Sequence, residues 1–485
     1  MNWFSVLEII YAGVLVLVCL RIIYETDTST KALAYLLLVI FLPALGIIIY
    51  FSFGVNYRKR KMYSKKLIGD ASLAKKISGD IIQLTKYNLE KGGATIGRYK
   101  ELAYMLAKDS KSALTSNNSV KLLVNGEKKF PDMLPALKQA KNHIHIEYYI
   151  YEDDEVGKSI EQVLVEKVKE GVDVRFIYDD FGSRSIRKSL ARRLKKAGVK
   201  IFPFYKMTFL ARFSRMNYRN HRKIVVVDGK IAFVGGINVS DKYVNRDGTT
   251  KKLFWRDTHL RIEGAGVFHL QYLFLCDWNF CANDKLEPNA DFFPLVSSIP
   301  VPGNKIVQIA ASGPDSDTPT ILFSLLQAIN LATEEILVST PYFIPRESLL
   351  DALTVAALGG VSVKLLVPGI SDSKIVNAAA RSYYGVLLNA GVEIFLYKKG
   401  FVHAKTMVVD RKMAIVGTAN MDNRSFDLNF EVNALVYNED TAKELTDIFY
   451  NDVKDSQKID AEKWKIRPWY KQLGEKTARL VSPLL

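Results

Sequence analysis

The sequence predicts an α/β protein in which two sandwich halves, related by a pseudo-twofold axis, follow an N-terminal transmembrane helical hairpin. The first observation is an internal repeat. Residues 221–238 read HRKIVVVDGKIAFVGGIN and residues 403–420 read HAKTMVVDRKMAIVGTAN, identical at ten of 18 positions at one fixed offset of 182, the mark of a duplicated unit. The second is the alternation of short β-branched runs with helix-like stretches around each copy, the pattern that layers helices on a sheet. The third is the crowding of apolar residues into the first 55 positions of a chain whose hydrophobic fraction, 48%, is otherwise ordinary. At 485 residues the chain exceeds one ordinary core.

The N-terminal element comes first. From Trp3 to Ile23 only Glu8 and Arg21 are charged, and from Ala32 to Phe53 nothing is; each stretch has the roughly 20 residues needed to cross a bilayer. The polar link Tyr24 to Lys31 is short, so two spans over residues 1–56 form a hairpin with both flanks on one side. The basic run Arg58-Lys59-Arg60-Lys61, with Lys65 and Lys66, makes that side cytoplasmic. Pro43 and Gly46 inside the second stretch favour a kink, with a shallow re-entrant hairpin as the variant. A cleaved signal peptide is disfavoured, because a basic n-region is missing and a second apolar stretch follows at once.

Residues 57–115 read as a basic helical connector. The first half, 116–300, carries strand His143 to Tyr149, helix Val156 to Glu170, strand Val172 to Tyr178 and helix Arg184 to Ala197 before Gly198. The second half, 301–456, repeats that order with Ile336 to Ser339, Ser348 to Leu358, Val361 to Val367 and Ile375 to Ala390 before Gly391. Residues 457–485 form a tail in which Trp464 to Lys471 mixes aromatics and cations and suits either a membrane interface or packing.

Within each copy a β-branched run reaches a turn, Asp228-Gly229 in the first, and a second strand leads to a glycine. Period two puts His221 and Lys223 on one face. Asn238 approaches that face from the neighbouring strand, and Gly235 leaves room for a close approach. The second copy supplies His403, Lys405 and Asn420 in the same way. Two imidazoles, two ammoniums and two amides suit a tetrahedral anionic phosphoryl group: one histidine attacks phosphorus, the other protonates the leaving oxygen, and Lys and Asn hold the equatorial oxygens. No metal or other cofactor is needed; a lysine beside each histidine opposes a zinc ion, and no H-E-x-x-H or C-x-x-C set is found.

Each histidine needs a carboxylate to fix its tautomer. Asp257 in Trp255 to Leu260, and Glu431 in Asn429 to Asn433, are strand carboxylates after the two motifs. Asp228 and Asp410 complete the repeated motif and are counted with its catalytic set, but their place at the turn argues for fold support. His143, His145, His259 and His269 fit structural roles. Cys19, Cys276 and Cys281 give no disulfide framework and read as reduced packing residues.

The pattern H-x-K-x4-D-x6-G-x2-N, present twice, resembles the phospholipase D superfamily. WRDTHLRIEG, STPYFIP, GFVHAKTMVVD, GTANMDNRSFDLNFEVN and the closing RLVSPLL are similar to the bacterial cardiolipin synthases in particular, as is the apolar N-terminus. The resemblance implies phospholipase D-type sandwich halves, a phosphatidyltransferase, and one reaction. One phosphatidylglycerol passes its phosphatidyl group to a histidine and loses glycerol; a second phosphatidylglycerol then attacks to give cardiolipin. It also implies phosphate-holding roles for Lys223, Lys405, Asn238 and Asn420, supporting roles for Asp257 and Glu431, and His221 rather than His403 as nucleophile. Where many members of the superfamily have Ser after the motif glycine, this chain has Gly236 and Thr418.

Charge and anchoring agree with a lipid substrate. Lys and Arg number 67 against 51 Asp and Glu, a net +16 that favours anionic membrane lipid. Nucleic acid is not expected as a partner, since no nucleic-acid module is recognisable. The expected site is the bacterial inner membrane, multi-pass, with the catalytic region cytoplasmic. The competing reading is a hydrolase with the same site: a phospholipase D, or more remotely a phosphodiesterase or nuclease.

Overall fold

The computed structural model describes residues 3–26, 29–51, 81–92, 96–206, 218–245, 253–294 and 303–480. The basic cluster at 58–66 and the last five residues lie outside them. The chain divides into two compact units, residues 1–65 with 206–218, and the remainder.

In the first unit, helix Trp3–Glu25 is long and apolar enough to cross a bilayer. The second apolar stretch does not form the expected continuous span. It breaks at Leu42 into helices Ser29–Phe41 and Pro43–Ile49, and the longer of these, at 1.5 Å per residue, covers only about 20 Å. Pro43 starts the second helix, as suits a residue without an N–H to donate. The helices then fold back on each other: a Cβ on Gly46 would fall 2.5 Å from the Leu38 carbonyl oxygen, and the rings of Tyr35 and Tyr50 meet at 5.6 Å. Tyr50 thereby returns to Glu25, whose carboxylate accepts from its hydroxyl at 3.3 Å.

In the second unit one continuous sheet carries both halves. Its centre is the antiparallel pair Thr115–Val124 and Lys305–Ser312. From there the first half runs outward through Thr258–Glu263, Ile231–Gly235, Lys223–Val227, His143–Tyr148, Asp173–Tyr178 and Lys200–Pro203. The second runs through Asn429–Tyr437, Met413–Gly417, Thr406–Val409, Glu335–Ser339, Ser362–Pro368 and Glu393–Tyr397. The strand order is the same on both sides, which is the pseudo-twofold relation the repeat predicts. Helices Glu155–Lys169, Glu347–Leu358 and Lys374–Asn389 fall within a residue or two of expectation. The stretch expected as a helix at 184–197 instead starts as a 3₁₀ turn, Arg184–Ile186, and resumes as Leu190–Lys196.

Strand alternation divides the side chains between cores. Ile224 and Val226 enter a central core with Ala414, Val416 and Ala434 of the other half, whereas Val225 and Val227 enter the first half's own core. The connector is more than a spacer: Tyr99, Leu102 and Leu106, from and beside helix Lys100–Asp109, are buried in the second half's core. In the tail, helix Trp469–Leu480 follows Trp464, which is buried against Tyr384 with Arg467 3.4 Å above its ring.

Candidate active site

Both repeated motifs open on one cavity of about 470 Å³, lined by His221, Asn238, His403 and Asn420 among others. The hairpin that carries each histidine turns through two residues at positive φ, Asp228 and Gly229 in the first copy and Asp410 and Arg411 in the second. The Asp228 carboxylate accepts from the amides of Lys141, Asn142 and His143. That of Asp410 accepts from the amides of Thr333, Glu334 and Glu335 and pairs with Arg98 at 3.1 Å. These carboxylates tie the hairpin turn to the start of the neighbouring strand, and neither is among the residues lining the cavity.

Each histidine meets the carboxylate of the opposite half. His221 Nδ1 lies 2.9 Å from both oxygens of Glu431, and His403 Nδ1 lies 2.6 Å from Asp257 Oδ2. An ionised carboxylate only accepts, so Nδ1 carries the proton and Nε2 keeps its lone pair. The backbone crosses too: His221 N donates to Phe430 O at 3.0 Å and His403 N to Arg256 O at 2.7 Å.

Burial sets the charge states. It lowers His221 to about 4 and His403 to about 3, with the carboxylates opposing and the neighbouring lysines adding to the shift. Burial alone would raise Asp257 and Glu431, but cationic neighbours and the histidine contacts hold both below the usual carboxylate range. Lys223 and Lys405 sit behind the histidines, buried, with Nζ donating to the carbonyls of His221 (2.6 Å) and His403. Desolvation pulls them down to about 7 and about 8. A nearby anion would favour the charged form of both lysines.

The two asparagines differ. Asn238 is engaged, its amide donating to Tyr243 Oη at 2.7 Å and its carbonyl accepting from Ile150 N at 3.2 Å; Asn420 Oδ1 is buried and has no partner among the described residues. His143, His145, His259 and His269 do not line the cavity, and His145 stacks on Phe274 at 4.3 Å.

Residues 133–250 and 325–453 match the family described as "Cardiolipin synthase, PLD-like domain", and residues 13–54 match "Phospholipase_D-nuclease N-terminal". The cardiolipin synthase of Alkalihalophilus pseudofirmus is 40% identical over 99% of this chain and 92% of its own length. The major cardiolipin synthase of Bacillus subtilis is 40% identical over 97% of each chain. The chain belongs to the cardiolipin synthase family of the phospholipase D superfamily. Its fold is also that of the phosphatidylserine synthase of Haemophilus influenzae, with a TM-score of 0.55 at 13% identity over 76% of this chain and 95% of that one.

Within this cardiolipin synthase-family site, several contacts were not read from the sequence. The Thr418 hydroxyl donates to Glu431 Oε2, and its oxygen accepts from Val432 N at 2.9 Å. At the equivalent Gly236 a Cβ would fall 2.2 Å from Asp257 Oδ1. Arg222, between His221 and Lys223, reaches the buried Asp277. Its counterpart is Ala404, so a mismatch between the copies was the available signal. Tyr149 and Trp255 wall the histidines at 4.8 and 5.4 Å; Trp255 opens the family-like segment WRDTHLRIEG, whereas Tyr149 reads only as the end of a strand.

Proposed function

We propose that the chain makes cardiolipin from two molecules of phosphatidylglycerol through a phosphohistidine. The observation that carries this reading is the crossed pairing of two histidines with two carboxylates around one cavity, backed by two lysines. The family is one of phosphatidyltransferases, and the relatives' printed activity supports the same product.

The chemistry follows from the charge states. A bound phosphodiester places its non-bridging oxygens toward Lys223, Lys405 and Asn420, and its charge draws protons back onto the site. Nε2 of one histidine attacks phosphorus while the other gives a proton to the departing glycerol oxygen, so the P–N bond forms as the P–O bond breaks. Asp257 and Glu431 hold each ring in the tautomer that presents Nε2 and stabilise the imidazolium that forms. The hydroxyl of a second phosphatidylglycerol then returns its proton to the acid–base histidine and displaces the P–N bond.

We place the catalytic unit at the cytoplasmic face of the bacterial membrane, held by helix Trp3–Glu25, on the basic run at 58–61. A diacyl substrate leaves a bilayer at about 0.8 kcal/mol per exposed methylene, so an anchored enzyme avoids extracting it. The test is labelled phosphatidylglycerol in mixed micelles without added metal. Equimolar cardiolipin and glycerol are expected; phosphatidic acid with glycerol would make the chain a hydrolase instead.

A further inference from the structure

The proposed reaction joins two phosphodiesters, and this inference rests on that reading. The buried lysines serve the phosphate being transferred. The acceptor brings a second phosphate, one glycerol bridge away, which also loses water on entering the cavity and needs its own cations.

The repeat supplies a candidate on each side. Four residues past each motif asparagine the chain has Lys242 and Arg424, equivalent at the offset of 182, and both line the cavity. Each stands on a short helical turn, Asp241–Tyr243 or Asn423–Asp427, capped by the side chain of Ser240 or Asp422. The two sides then diverge. Lys242 lies beside the His403 wall, with Nζ 4.5 Å over Trp255. Its cavity neighbour is Asp372, whose carboxylate accepts from Tyr342 Oη at 2.6 Å. An incoming phosphate there meets a carboxylate as well as a cation.

On the His221 side Arg424 is joined by a second cavity-lining guanidinium, Arg219. Arg219 is on the short strand Arg219–Asn220, which pairs with Asn429–Phe430 of the other half; it lies 4.1 Å over the Phe181 ring and is only 6% exposed. Burial lowers its pKa, Asp179 opposes that, and the charge of Arg424 adds to the lowering, so the two guanidiniums share a field. The carboxylate lining the cavity there, Asp422, accepts from Ser425 N at 2.6 Å, and burial pushes it up to about 6. A pair of arginines, one from each half, is suited to holding a phosphodiester by its two non-bridging oxygens.

We infer that Arg219 and Arg424 form the acceptor-phosphate subsite, which holds the second phosphatidylglycerol while its terminal hydroxyl attacks the phosphohistidine. In that step the hydroxyl oxygen bonds to phosphorus, the P–N electron pair returns to the imidazole, and the hydroxyl proton passes to the other histidine. The arginines take no part in bond making. They decide whether the acceptor is a phosphate-bearing glycerol or a bare one.

The full chain in mixed micelles gives two readouts from the same intermediate: cardiolipin formation, which needs the subsite, and exchange of labelled glycerol into phosphatidylglycerol, which does not. Arg219→Gln and Arg424→Gln are each expected to lower cardiolipin formation roughly ten- to a hundredfold relative to exchange, with a raised KM for phosphatidylglycerol as acceptor and partial recovery in Arg424→Lys. Retained exchange reports an intact fold. Cardiolipin formation and exchange falling in parallel, or a ratio within twofold of the parent protein, would overturn the assignment. Absence of both activities in the parent protein would instead overturn the reading on which it rests.

Discussion

The two histidines of this protein come from nearly the same 18 residues, yet they are braced differently. Glu431 meets His221 with both oxygens and is itself held by the Thr418 hydroxyl and by Asn429 Nδ2 at 3.1 Å. Asp257 meets His403 with one oxygen, while the other accepts from Thr258 N at 2.7 Å and packs against Gly236. The longer carboxylate goes with a threonine and the shorter one with no side chain at all. Because each half's carboxylate serves the other half's histidine, neither half holds a complete dyad. The duplication has produced a site that exists only across its own symmetry axis.

The strongest way to break this comparison is to remove one histidine. His221→Ala and His403→Ala are each expected to abolish turnover, at least about a thousandfold, with near-native circular dichroism, and the double variant should be little worse than either single one. Substantial cardiolipin from one of them would show that one dyad suffices. Next come the carboxylates. Asp257→Asn and Glu431→Gln are isosteric but let the wrong tautomer form, so kcat should fall about 10²- to 10⁴-fold with KM little changed. If the braces matter as the geometry indicates, Asp257→Asn is the more damaging, since Asp257 holds His403 through one oxygen whereas Glu431 holds His221 through two.

Much of this was legible in the sequence because it rests on local pattern. Period two put His221 and Lys223 on one face, and the repeat put a second set at 403–420. Helix and strand limits in both halves follow from runs such as Val361 to Val367, which becomes strand Ser362–Pro368. The crossed dyads were not legible, because Asp257 and Glu431 are distant in the chain from the histidines they serve and become neighbours only when the halves pair through Thr115–Val124 and Lys305–Ser312. The break in the second apolar stretch was legible as well: Pro43 and Gly46 mark it in the sequence, and in the structure Pro43 starts a new helix and Gly46 allows that helix to fold against Leu38.

A finer test exchanges the braces. Gly236→Ala places a methyl where the Asp257 carboxylate now sits, so the carboxylate must shift and kcat should fall roughly ten- to a hundredfold. Thr418→Val removes only one hydroxyl from Glu431, which keeps Asn429, and should cost about tenfold or less, with Thr418→Ser near the parent value. Equal losses at the two positions would mean that the asymmetry has no bearing on the rate.

The smallest effect concerns the ammoniums common to both dyads. Burial holds Lys223 at about 7 and Lys405 at about 8, whereas in the unfolded chain they titrate near 10.4. Between about pH 7 and 10.4 the unfolded chain therefore binds more protons, and stability must rise with pH across that window. An anion lodged among the lysines repays the cost of charging them, so its binding takes up protons and weakens as pH rises. Sulfate, whose own charge is constant here, should accordingly raise the thermal midpoint in detergent by a few degrees more at pH 7 than at pH 9. The difference should vanish when Lys223 and Lys405 are both replaced by Met. An equal rise at both pH values in the parent protein would mean that the lysines do not hold the anion.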